Sequence, residues 1–577
     1  MSTSKHIDLV CVVVLLCALL VTVLFINGKA LGIQVMADAD AGDSQFTVND
    51  RNADWDQTGA TRITLTGDGG SVKGNGAYVA DGDVHIVYAG KYVITGELSD
   101  GSILIDADGD DKIWILLNGV TLHCEDSAAI FVKQADKVFL TLAEGTENFI
   151  SSGAEYSEYA TSRSIDGAIY SKDDLTINGS GALTVTADYK HGIVCNDDLV
   201  IVDANIQITA VQDGIHAHDS IRLADMDLTV TAGDDGIHAS NDDETSYIYI
   251  ESGNIRIPAC YEGIEAIDIT IAGGNIHIRP TDDGINANGQ GRNSVIRITG
   301  GDITIINETG RDADGLDSNG SLYISGGNIF ISVNANGGSA AIDYGTENGG
   351  VAEISGGTII AAGSSAMADG FDSSSQQNFF MCTTSVAAGG TTVTLQNQAG
   401  ITLLSQTIPC AFSSLVISTP ELQLGETCTL SIGDSTQTVT VDNTSGNGGF
   451  GGGKGGFGGR GDRNNLSGEN QQQDMPEMPS DGFGNAPGGN MPGGKFPFDN
   501  SQMPEGDRQG DMRPNFGDRE NGQWDTDRQG GNRFPQQQTQ NSSQEETATI
   551  SAEALIWVAA SVITLSAALL FAFKAKH

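Results

Sequence analysis

Acidic residues beside glycine recur at nearly regular intervals through the middle of this sequence. The recurring phrase is a polar residue, usually an acid, followed by a glycine and an apolar residue, as in Asp283-Gly284-Ile285. Its copies begin at Asp166, His191, Asp213, Asp235, Glu262, Asp283, Asp314 and Asp369, with an incomplete copy at Ala341-Ile342-Asp343. Copies roughly 20 to 30 residues apart indicate a solenoid, in which equivalent residues of successive coils stack.

Stacking would place the acids of this phrase in a ladder, and the ladder predicts a calcium site. Two carboxylates about 5 Å apart, the spacing of neighbouring strands, repel by about 3 kcal/mol at an effective dielectric of 20. Calcium binds 6–8 oxygens at about 2.3–2.6 Å, so one ion could take ligands from two adjacent coils. An all-oxygen set also favours calcium over zinc or copper. The predicted metal ligands are Asp213, Asp234, Asp235, Glu262, Glu265, Asp282, Asp283, Asn286, Asp312, Asp314, Asp317, Asp343, Asp369 and Asp372.

Two less specific interpretations apply to parts of this pattern. Asp-Gly is ordinary turn chemistry, and a single copy is explained as well by a solvated turn. The doubled acids at 234–235 and 282–283, repeated in an aligned ladder, favour calcium instead. His216, His218 and His238 raise the alternative of zinc, but we interpret His216 and His238 as a stacked surface pair.

The segments between the copies predict the elements that position these side chains. Ile269-Thr270-Ile271 leads through Gly273-Gly274 to Ile276-His277-Ile278, and the same order follows at 296–305 and 322–331. Alternating apolar residues over such short runs indicate strands, and no run here has a helical period of useful length. Each unit is therefore predicted to be one coil of a parallel β-helix. We expect the glycine of each phrase, the marker glycine, to adopt a turn conformation that other residues resist.

Composition divides the 577 residues into six segments. They are a signal peptide or N-terminal anchor at 1–37, an N-terminal cap with the first coils at 45–165, regular coils at 166–378, a C-terminal cap or small β domain at 379–445, a spacer rich in Gly, Gln, Asn and Pro at 446–548 and a transmembrane helix at 554–573. The spacer cannot bury enough apolar surface to fold and is expected to be disordered. About 20 apolar residues span a bilayer, and basic residues favour its cytoplasmic side. Lys574 and Lys576 therefore predict a single-pass protein of the cell membrane, with an extracellular, monomeric ectodomain and a cytoplasmic C-terminus.

The charge balance excludes one class of partner. The chain has 75 acidic residues against 29 basic ones, a formal net charge of −46. A nucleic-acid partner needs a basic face, so we expect none. The eight cysteines include Cys11 and Cys17 in the N-terminal apolar segment. The others permit disulfides, but their pairing cannot be read from the sequence.

These motifs resemble those of a family of clostridial cell-surface carbohydrate-binding proteins. The resemblance covers roughly residues 45–442 and rests on the (Asp or Glu)-Gly-Ile-x-Ala phrase, the Ile-x-Ile-x-Gly-Gly-x-Ile-x-Ile strands and Leu415-Val416-Ile417-Ser418. It implies an all-β, right-handed parallel β-helix similar to pectate lyases, particularly polysaccharide lyase family 9. It also implies binding of calcium and of acidic polysaccharides such as polygalacturonate, and of cellulose.

The resemblance extends to the lyases' calcium site only in part. In those enzymes an Asp of one coil joins an Asp-Asp-x-x-Asp of the next to hold the catalytic calcium. Asp213 with Asp234-Asp235 fits, except that His238 stands at the last position. The next copy, with Glu262 as its first acid, departs at both ends. These departures weaken the case for catalysis more than the case for metal binding.

Three functions are compatible with the sequence. The first is a tethered, non-catalytic binder of acidic or plant cell-wall polysaccharide, in which calcium removes the repulsion between two polyanions; Tyr261, Arg279 and Arg311 are its predicted sugar contacts. The second is a calcium-dependent polysaccharide lyase, which needs a basic side chain to remove a proton. No lysine lies between Lys190 and Lys454, and we assign no catalytic residue. The third is a structural surface adhesin.

Overall fold

The computed structural model describes residues 45–443 except 242–244, 290–293, 310–312, 338 and 367. Within those residues the chain is built almost entirely from β-strands. The predicted signal peptide or anchor at 1–37, the spacer at 446–548 and the membrane span at 554–573 lie outside the described residues and stay predictions. No helix in the described part is both long and apolar enough to cross a bilayer.

The strands are numbered in chain order. The first ten are β1 (Thr61–Gly67), β2 (Gly70–Lys73), β3 (Ala77–Ala80), β4 (Asp83–Ile86), β5 (Gly90–Leu98), β6 (Ile103–Asp106), β7 (Lys112–Cys124), β8 (Ile130–Gln134), β9 (Lys137–Leu142) and β10 (Glu147–Ser152), followed by the short helix α1 (Glu158–Thr161). The next are β11 (Gly167–Ser171), β12 (Asp174–Asn178), β13 (Ala182–Ala187), β14 (His191–Cys195), β15 (Asp198–Val202), β16 (Asn205–Ala210), β17 (Ile215–Ala217), β18 (Ser220–Ala224), β19 (Met226–Ala232), β20 (Ile237–Ala239), β21 (Tyr247–Ile250) and β22 (Gly253–Cys260).

The remaining strands continue the same series and then leave it. They are β23 (Ile264–Ala266), β24 (Asp268–Ile271), β25 (Asn275–Pro280), β26 (Ile285–Ala287), β27 (Val295–Ile298), β28 (Asp302–Asn307), β29 (Leu316–Ser318), β30 (Ser321–Ile324), β31 (Asn328–Val333), β32 (Ile342–Tyr344), β33 (Ala352–Ile354), β34 (Thr358–Gly363), β35 (Phe379–Ala387), β36 (Thr391–Gln396), β37 (Thr402–Ile408), β38 (Phe412–Ser418), β39 (Thr427–Ile432) and β40 (Ser435–Thr440). Two 3-10 turns lie at Ala335–Gly337 and Thr346–Asn348.

Three consecutive strands form one coil, so the solenoid has three faces. The strands that carry the recurring phrase lie on the first face, a 12-stranded sheet that is parallel from β4 to β32. The other two faces are parallel ladders joined through the long strand β7. The phrase therefore supplies a third strand to each coil, beyond the two that the sequence predicted. The predicted parallel β-solenoid is confirmed, with about 10 turns.

The apolar residue of each phrase points into the solenoid and is buried. Ile264 pairs with Ile285, and Ile285 pairs with Leu316, so these side chains stack along the axis. Burying one such side chain fully contributes about 1.5–3 kcal/mol relative to leaving it exposed. A shift of one residue would turn the stack towards solvent, so the stack fixes the register of the whole first face.

The marker glycines are explained by space rather than by backbone conformation, which corrects the expectation from the sequence. Gly263 and Gly284 do not adopt positive φ. A Cβ at Gly284 would lie 2.5 Å from the carbonyl oxygen of Gly315 and 2.5 Å from Cγ2 of Ile305. The positive φ falls instead on the second residue of the Gly-Gly turns, as at Gly301, where φ is 95°.

We expect Gly284→Ala to lower the free energy of unfolding by about 1–3 kcal/mol, the usual cost of overpacking a filled core. The added methyl group meets a carbonyl of the next coil and an inward isoleucine, neither of which can move freely. Gly69→Ala is the matched control, because its Cβ would come no nearer than 3.7 Å to another side chain. Urea unfolding of the full chain measures both variants, and equal stability would contradict the steric explanation.

Antiparallel strands cover both ends of the solenoid. β1 pairs antiparallel with β2, and β38 pairs antiparallel with β34 and β35. β36, β37, β39 and β40 form a second, four-stranded antiparallel sheet, which packs on β34, β35 and β38 through a shared apolar core. Such covers protect edges that would otherwise pair with another chain. The cysteines of the described residues are all buried free thiols, so none of the disulfides that the sequence permitted is formed among them.

Candidate functional site

One corner of the solenoid carries the residues that precede the marker glycines. The N–H of Gly236 donates to the carbonyl oxygen of Glu262 at 2.9 Å, and the equivalent bond repeats in the neighbouring coils. The residue before each marker glycine therefore stacks on its equivalent in the next coil. We call this stack the turn column; it consists of His191, Asp213, Asp235, Glu262, Asp283 and Asp314.

A second column runs beside it on the first face, formed by the outward-facing residue in the middle of each strand. His238 pairs with Glu265, and Glu265 pairs with Asn286. We call this the strand column; it consists of Phe131, Tyr170, Val194, His216, His238, Glu265, Asn286, Asp317 and Asp343. Along the solenoid the column changes from apolar residues to imidazoles and then to oxygen ligands.

Three acids of the turn column have a structural role that uses one of their two carboxylate oxygens. Oδ1 of Asp235 accepts from the peptide N–H of Glu262 at 3.1 Å, and Oδ1 of Asp283 accepts from the N–H of Asp314 at 2.6 Å. The same bond joins Asp213 to Asp235 at 3.2 Å. The turn interpretation of Asp-Gly and the metal interpretation are therefore compatible at Asp235 and Asp283, because this bond uses only one of the two carboxylate oxygens.

Two coils bring three carboxylates together near the middle of the columns. One oxygen each of Asp235, Glu262 and Glu265 lies within 4.8 Å of the others. Asn286 donates from Nδ2 to Glu262 at 2.9 Å, while its own buried Oδ1 has no hydrogen-bond partner among the residues that the structure describes. We call these four residues the central acid cluster.

Burial and mutual repulsion make this cluster unfavourable for fully ionised carboxylates. Burial raises the pKa of Glu262 to about 7, against the hydrogen bond from Asn286, and the charges of Asp235 and Asp282 add to the rise. Burial and neighbouring acids also raise the pKa of Glu265. Burial raises the pKa of Asp283 in the next coil to about 9, with Asp317 and Asp314 contributing. Such shifts are expected where several carboxylates share a site without a cation.

A second group of acids lies further along the same columns. Carboxylate oxygens of Asp314, Asp317 and Asp343 lie within 4.8 Å of one another. Asp283 contacts this group through its hydrogen bond with the N–H of Asp314. We call these three residues the C-terminal acid cluster. It is less buried than the central one, so it is open to solvent and to a ligand.

Both clusters pass a simple test for calcium. Two ligands of one calcium ion lie no more than twice the bond length apart, roughly 4.6–5.2 Å, and the oxygens of each cluster lie within 4.8 Å. The donors are oxygens, which calcium prefers. The unpartnered Oδ1 of Asn286 offers a neutral ligand beside the central carboxylates.

The histidines differ from the surface pair that the sequence suggested. His216 and His238 are packed edge to face with ring centroids 4.8 Å apart, and both are mostly buried. Together with His191 they surround Asp213 in the turn column. Burial opposes the ionised form of Asp213, but the three imidazoles hold the pKa of its carboxyl well below its usual range.

Sequence reasoning missed His191 as a member of this site. The residue stands directly before Gly192 and so occupies the position that an acid holds in the other copies. Its phrase has no carboxylate, which is why a search for calcium ligands passed over it. Alignment of the marker glycines would have placed His191 next to Asp213 in the turn column.

The structure separates the members of each doubled acid. Asp234 is exposed at the corner while Asp235 is buried, so only the second acid joins a cluster. Asp282 lies beside the ring of Tyr261, and its hydrogen bond raises the pKa of that phenol to about 12. Asp312 and Arg311 lie outside the described residues.

The last copy of the phrase does not continue the first face. Residues 368–372 form no strand, and the sheet ends at β32. Asp372 accepts from the N–H of Ala352 at 2.8 Å. Burial raises the pKa of the Tyr344 phenol, and the charges of Asp372 and Asp369 add to the rise. The described contacts therefore place these two acids beyond the central acid cluster, next to the end of the strand column.

Two of the predicted sugar contacts lie on the exposed corner next to the turn column. The N–H of Tyr261 donates to the carbonyl of Asp234 at 2.8 Å, and its carbonyl accepts from the N–H of Asp282 at 2.9 Å. The Tyr261 side chain is exposed. Arg279 is also exposed, with its guanidinium 3.8 Å from Glu308. The Tyr261 ring and the Asp282 carboxylate thus lie together at this corner, and Arg279 is exposed at the end of β25, two residues before the next turn.

Part of this chain is similar to proteins described as containing a carbohydrate-binding domain. Residues 80–283 match the family model described as carbohydrate-binding domain-containing protein. A curated relative with that description, from Acetivibrio thermocellus, is 36% identical over 138 residues, which are 24% of this chain and 48% of the relative. The chain thus spans about half the length of the curated relative that it matches. The predicted resemblance to clostridial carbohydrate-binding proteins is confirmed over the matched range.

One solved structure is also similar. It is described as a polysaccharide lyase-like protein from C. thermocellum, in a gadolinium derivative, and shares 28% sequence identity. The similarity covers 46% of this chain and 96% of that chain, with a TM-score of 0.38.

Proposed function

We propose, from the match of residues 80–283 to carbohydrate-binding domain-containing proteins, that this chain binds acidic polysaccharide with calcium at the cell surface and without catalysis. The observation that carries the proposal is the central acid cluster, where buried carboxylates of two coils converge with the unpartnered oxygen of Asn286. The predicted span at 554–573 would tether the solenoid to the membrane.

The chain's own residues define how the cation would be held. Asp235, Glu262 and Glu265 supply the charged oxygens, and Asn286 supplies a neutral one. The C-terminal acid cluster offers a second set. Calcium bound there would carry the positive charge that lets uronate carboxylates approach a protein with a formal net charge of −46.

The open corner supplies direct contacts for the sugar. Arg279 can pair with a uronate carboxylate through a planar, two-pronged guanidinium. Tyr261 presents an apolar ring with a polar tip, the type of side chain enriched where a surface meets an amphipathic ligand. The backbone of Tyr261 links the turns at Asp234 and Asp282, and its phenol bonds to the Asp282 carboxylate.

Binding without cleavage is favoured by the lack of a lysine base in the coils from Asp213 onward. A lyase must remove a proton from the sugar, and the side chain that does so must be unprotonated when the sugar binds. No lysine occurs between Lys190 and Lys454, and arginine side chains in general are too basic to serve as the unprotonated base. We therefore assign the acid clusters to binding.

We expect Tyr261→Ala and Arg279→Ala each to weaken binding to polygalacturonate about tenfold, the loss of roughly 1–1.5 kcal/mol that an interface anchor contributes. Neither side chain belongs to an acid cluster, so calcium affinity should stay unchanged. Titration calorimetry with polygalacturonate oligomers at saturating calcium measures the effect. Tyr88→Ala, at another exposed tyrosine far from the corner in sequence, serves as the control.

Two outcomes would revise the proposal. Unchanged binding in both corner variants would place the sugar elsewhere on the solenoid. Calcium-dependent release of unsaturated product by the parent chain, followed by ultraviolet absorbance, would instead make the protein a polysaccharide lyase.

A further inference from the structure

The ladder that contains β19, β22, β25 and β28 forms the third face of the solenoid, and an open groove lies on it. The groove has a volume of about 400 Å³. It belongs to neither acid cluster and contains no residue of the turn column. Its outward side chains include Asp227, Thr229, Asn254, Arg256, Asn275 and His277.

The groove leads along the strands towards the corner that carries Tyr261. Asn254 pairs with Asn275, and Arg256 pairs with His277. Residues two positions apart on a strand face the same side, so Asn275, His277 and Arg279 all point outward from β25. At about 3.3 Å per residue, the path from Asn275 to Arg279 is about 13 Å long. The groove is therefore a continuation of the corner where Arg279 lies.

Three basic side chains lie near one another along this path. Burial lowers the pKa of the His277 imidazole, and the charges of Arg279 and Arg256 lower it further, which places both guanidinium groups close to the ring. The chain has a formal net charge of −46, so neighbouring basic groups are unusual in it. A local positive field of this kind attracts anionic groups.

Arg256 is available to a ligand, whereas two other arginines of these coils are not. Arg222 and Arg297 each form an ion pair with an aspartate, at 2.8 Å and 2.5 Å. Arg279 has a longer contact of 3.8 Å with an exposed glutamate. Arg256 is exposed and forms no ion pair among the residues that the structure describes.

The other side chains of the groove suit the hydroxyl groups of a sugar. The amides of Asn254 and Asn275 supply donors and acceptors beside the guanidinium of Arg256. Asp227 is the one acid among the described lining residues, and its Oδ1 accepts from Nδ2 of Asn254 at 2.7 Å. A cation flanked by amides favours a hydroxylated ligand that carries a carboxylate, because guanidinium pairs with carboxylate through two parallel hydrogen bonds.

We propose that this groove binds a further uronate of the polysaccharide, with Arg256 paired to its carboxylate and with His277, Asn254 and Asn275 contacting its hydroxyls. The inference rests on the proposed function, because calcium at the acid clusters holds the chain and Arg279 directs it onto the third face. Only a chain that extends from the corner can reach Arg256. The groove therefore makes the protein select runs of consecutive uronates over a single one.

The dependence of affinity on oligomer length tests the proposal. At saturating calcium, galacturonate oligomers of increasing length should bind the full chain more tightly until the groove is filled. Arg256→Gln should weaken binding of the long oligomers about tenfold, the effect of one charge-assisted bond, and leave the shortest unaffected. Arg297→Gln is the matched control, because it removes the same charge from a strand of another face and should not change the length dependence.

Two further variants make the test independent of a single substitution. Arg256→Lys keeps the charge but not the planar fork, so it should restore part of the affinity for long oligomers. Thr229→Glu places a carboxylate opposite Arg256 and should weaken long oligomers in the same way as Arg256→Gln. An unchanged rise in unfolding temperature on adding calcium checks that each variant is folded and still binds the ion.

The outcomes separate this inference from the proposed function. Equal affinity of the parent and both Arg256→Gln and Thr229→Glu for long oligomers would overturn the groove and leave calcium binding at the corner unaffected. Binding that needs Arg256 but not calcium would support the groove and overturn the calcium-dependent function. A parent chain that binds no oligomer would overturn both.

Discussion

Calcium raises the thermal unfolding temperature of the full chain, and its removal lowers it, if the acid clusters bind the ion. Without a cation, the buried carboxylates of Asp235, Glu262 and Glu265 repel one another. A ligand that binds only the native state at 100 times its Kd adds about 2.7 kcal/mol to the free energy of unfolding. Differential scanning calorimetry with calcium added to metal-stripped buffer measures the shift without interference from transition metals.

Asp235→Asn separates metal binding from packing in the same experiment. The amide oxygen can still accept from the N–H of Glu262, so the structural bond is kept while one charge is removed. In metal-free buffer we expect the variant to be at least as stable as the parent, because one repelling carboxylate is gone. Its gain in unfolding temperature on adding calcium should be much smaller. Asp108→Asn, at an exposed position in the N-terminal region, should respond to calcium like the parent.

Asp282→Asn combined with Asp283→Asn should weaken polygalacturonate binding more than either corner variant, by about 100-fold if each carboxylate contributes 1–2 kcal/mol through charge-assisted bonds. Asp283 contacts the C-terminal acid cluster, and Asp282 lies at the exposed edge beside Tyr261. The amide at 283 can still accept from the N–H of Asp314, so the turn is preserved. Affinity electrophoresis in gels containing polygalacturonate and calcium compares the variants.

The matched control for this pair removes the same charge elsewhere. Asp227 and Asp302 are exposed on another face, where each accepts from an asparagine at 2.7 Å. Asp227→Asn with Asp302→Asn should bind polygalacturonate at least as well as the parent, because a less negative protein repels a polyanion less. Equal weakening in the two pairs would show that the acids at 282 and 283 have no specific role.

The repeat and the inward stack could be predicted from the sequence because both depend on periodicity. Apolar residues such as Ile264 and Ile285 recur at the same point in each phrase, and burial fixes that register. The last phrase, at 369–372, was indistinguishable from the others by pattern. It forms no strand because β35 and β38 follow as an antiparallel cover and no further coil stacks beyond it.

The clusters could be predicted only in part, because their chemistry depends on contacts between coils. The ladder correctly brought Asp235 near Glu262, but sequence could not show that one oxygen of Asp235 is used by a peptide N–H of the next coil. Nor could it show that Oδ1 of Asn286 is buried without a partner in the described residues. The sequence also could not show why position 284 requires a glycine. The requirement comes from a carbonyl of the next coil, which leaves no room for a Cβ, rather than from the φ of Gly284.

The most direct test of the central claim is equilibrium binding of polygalacturonate oligomers to the full chain over a range of calcium concentrations. If calcium joins the acid clusters to the glycan, affinity rises as calcium saturates and is lost in metal-stripped buffer. Because linkage is reciprocal, the oligomers must also raise the apparent affinity for calcium by the same factor. Equal affinity for polygalacturonate with and without calcium would contradict the account.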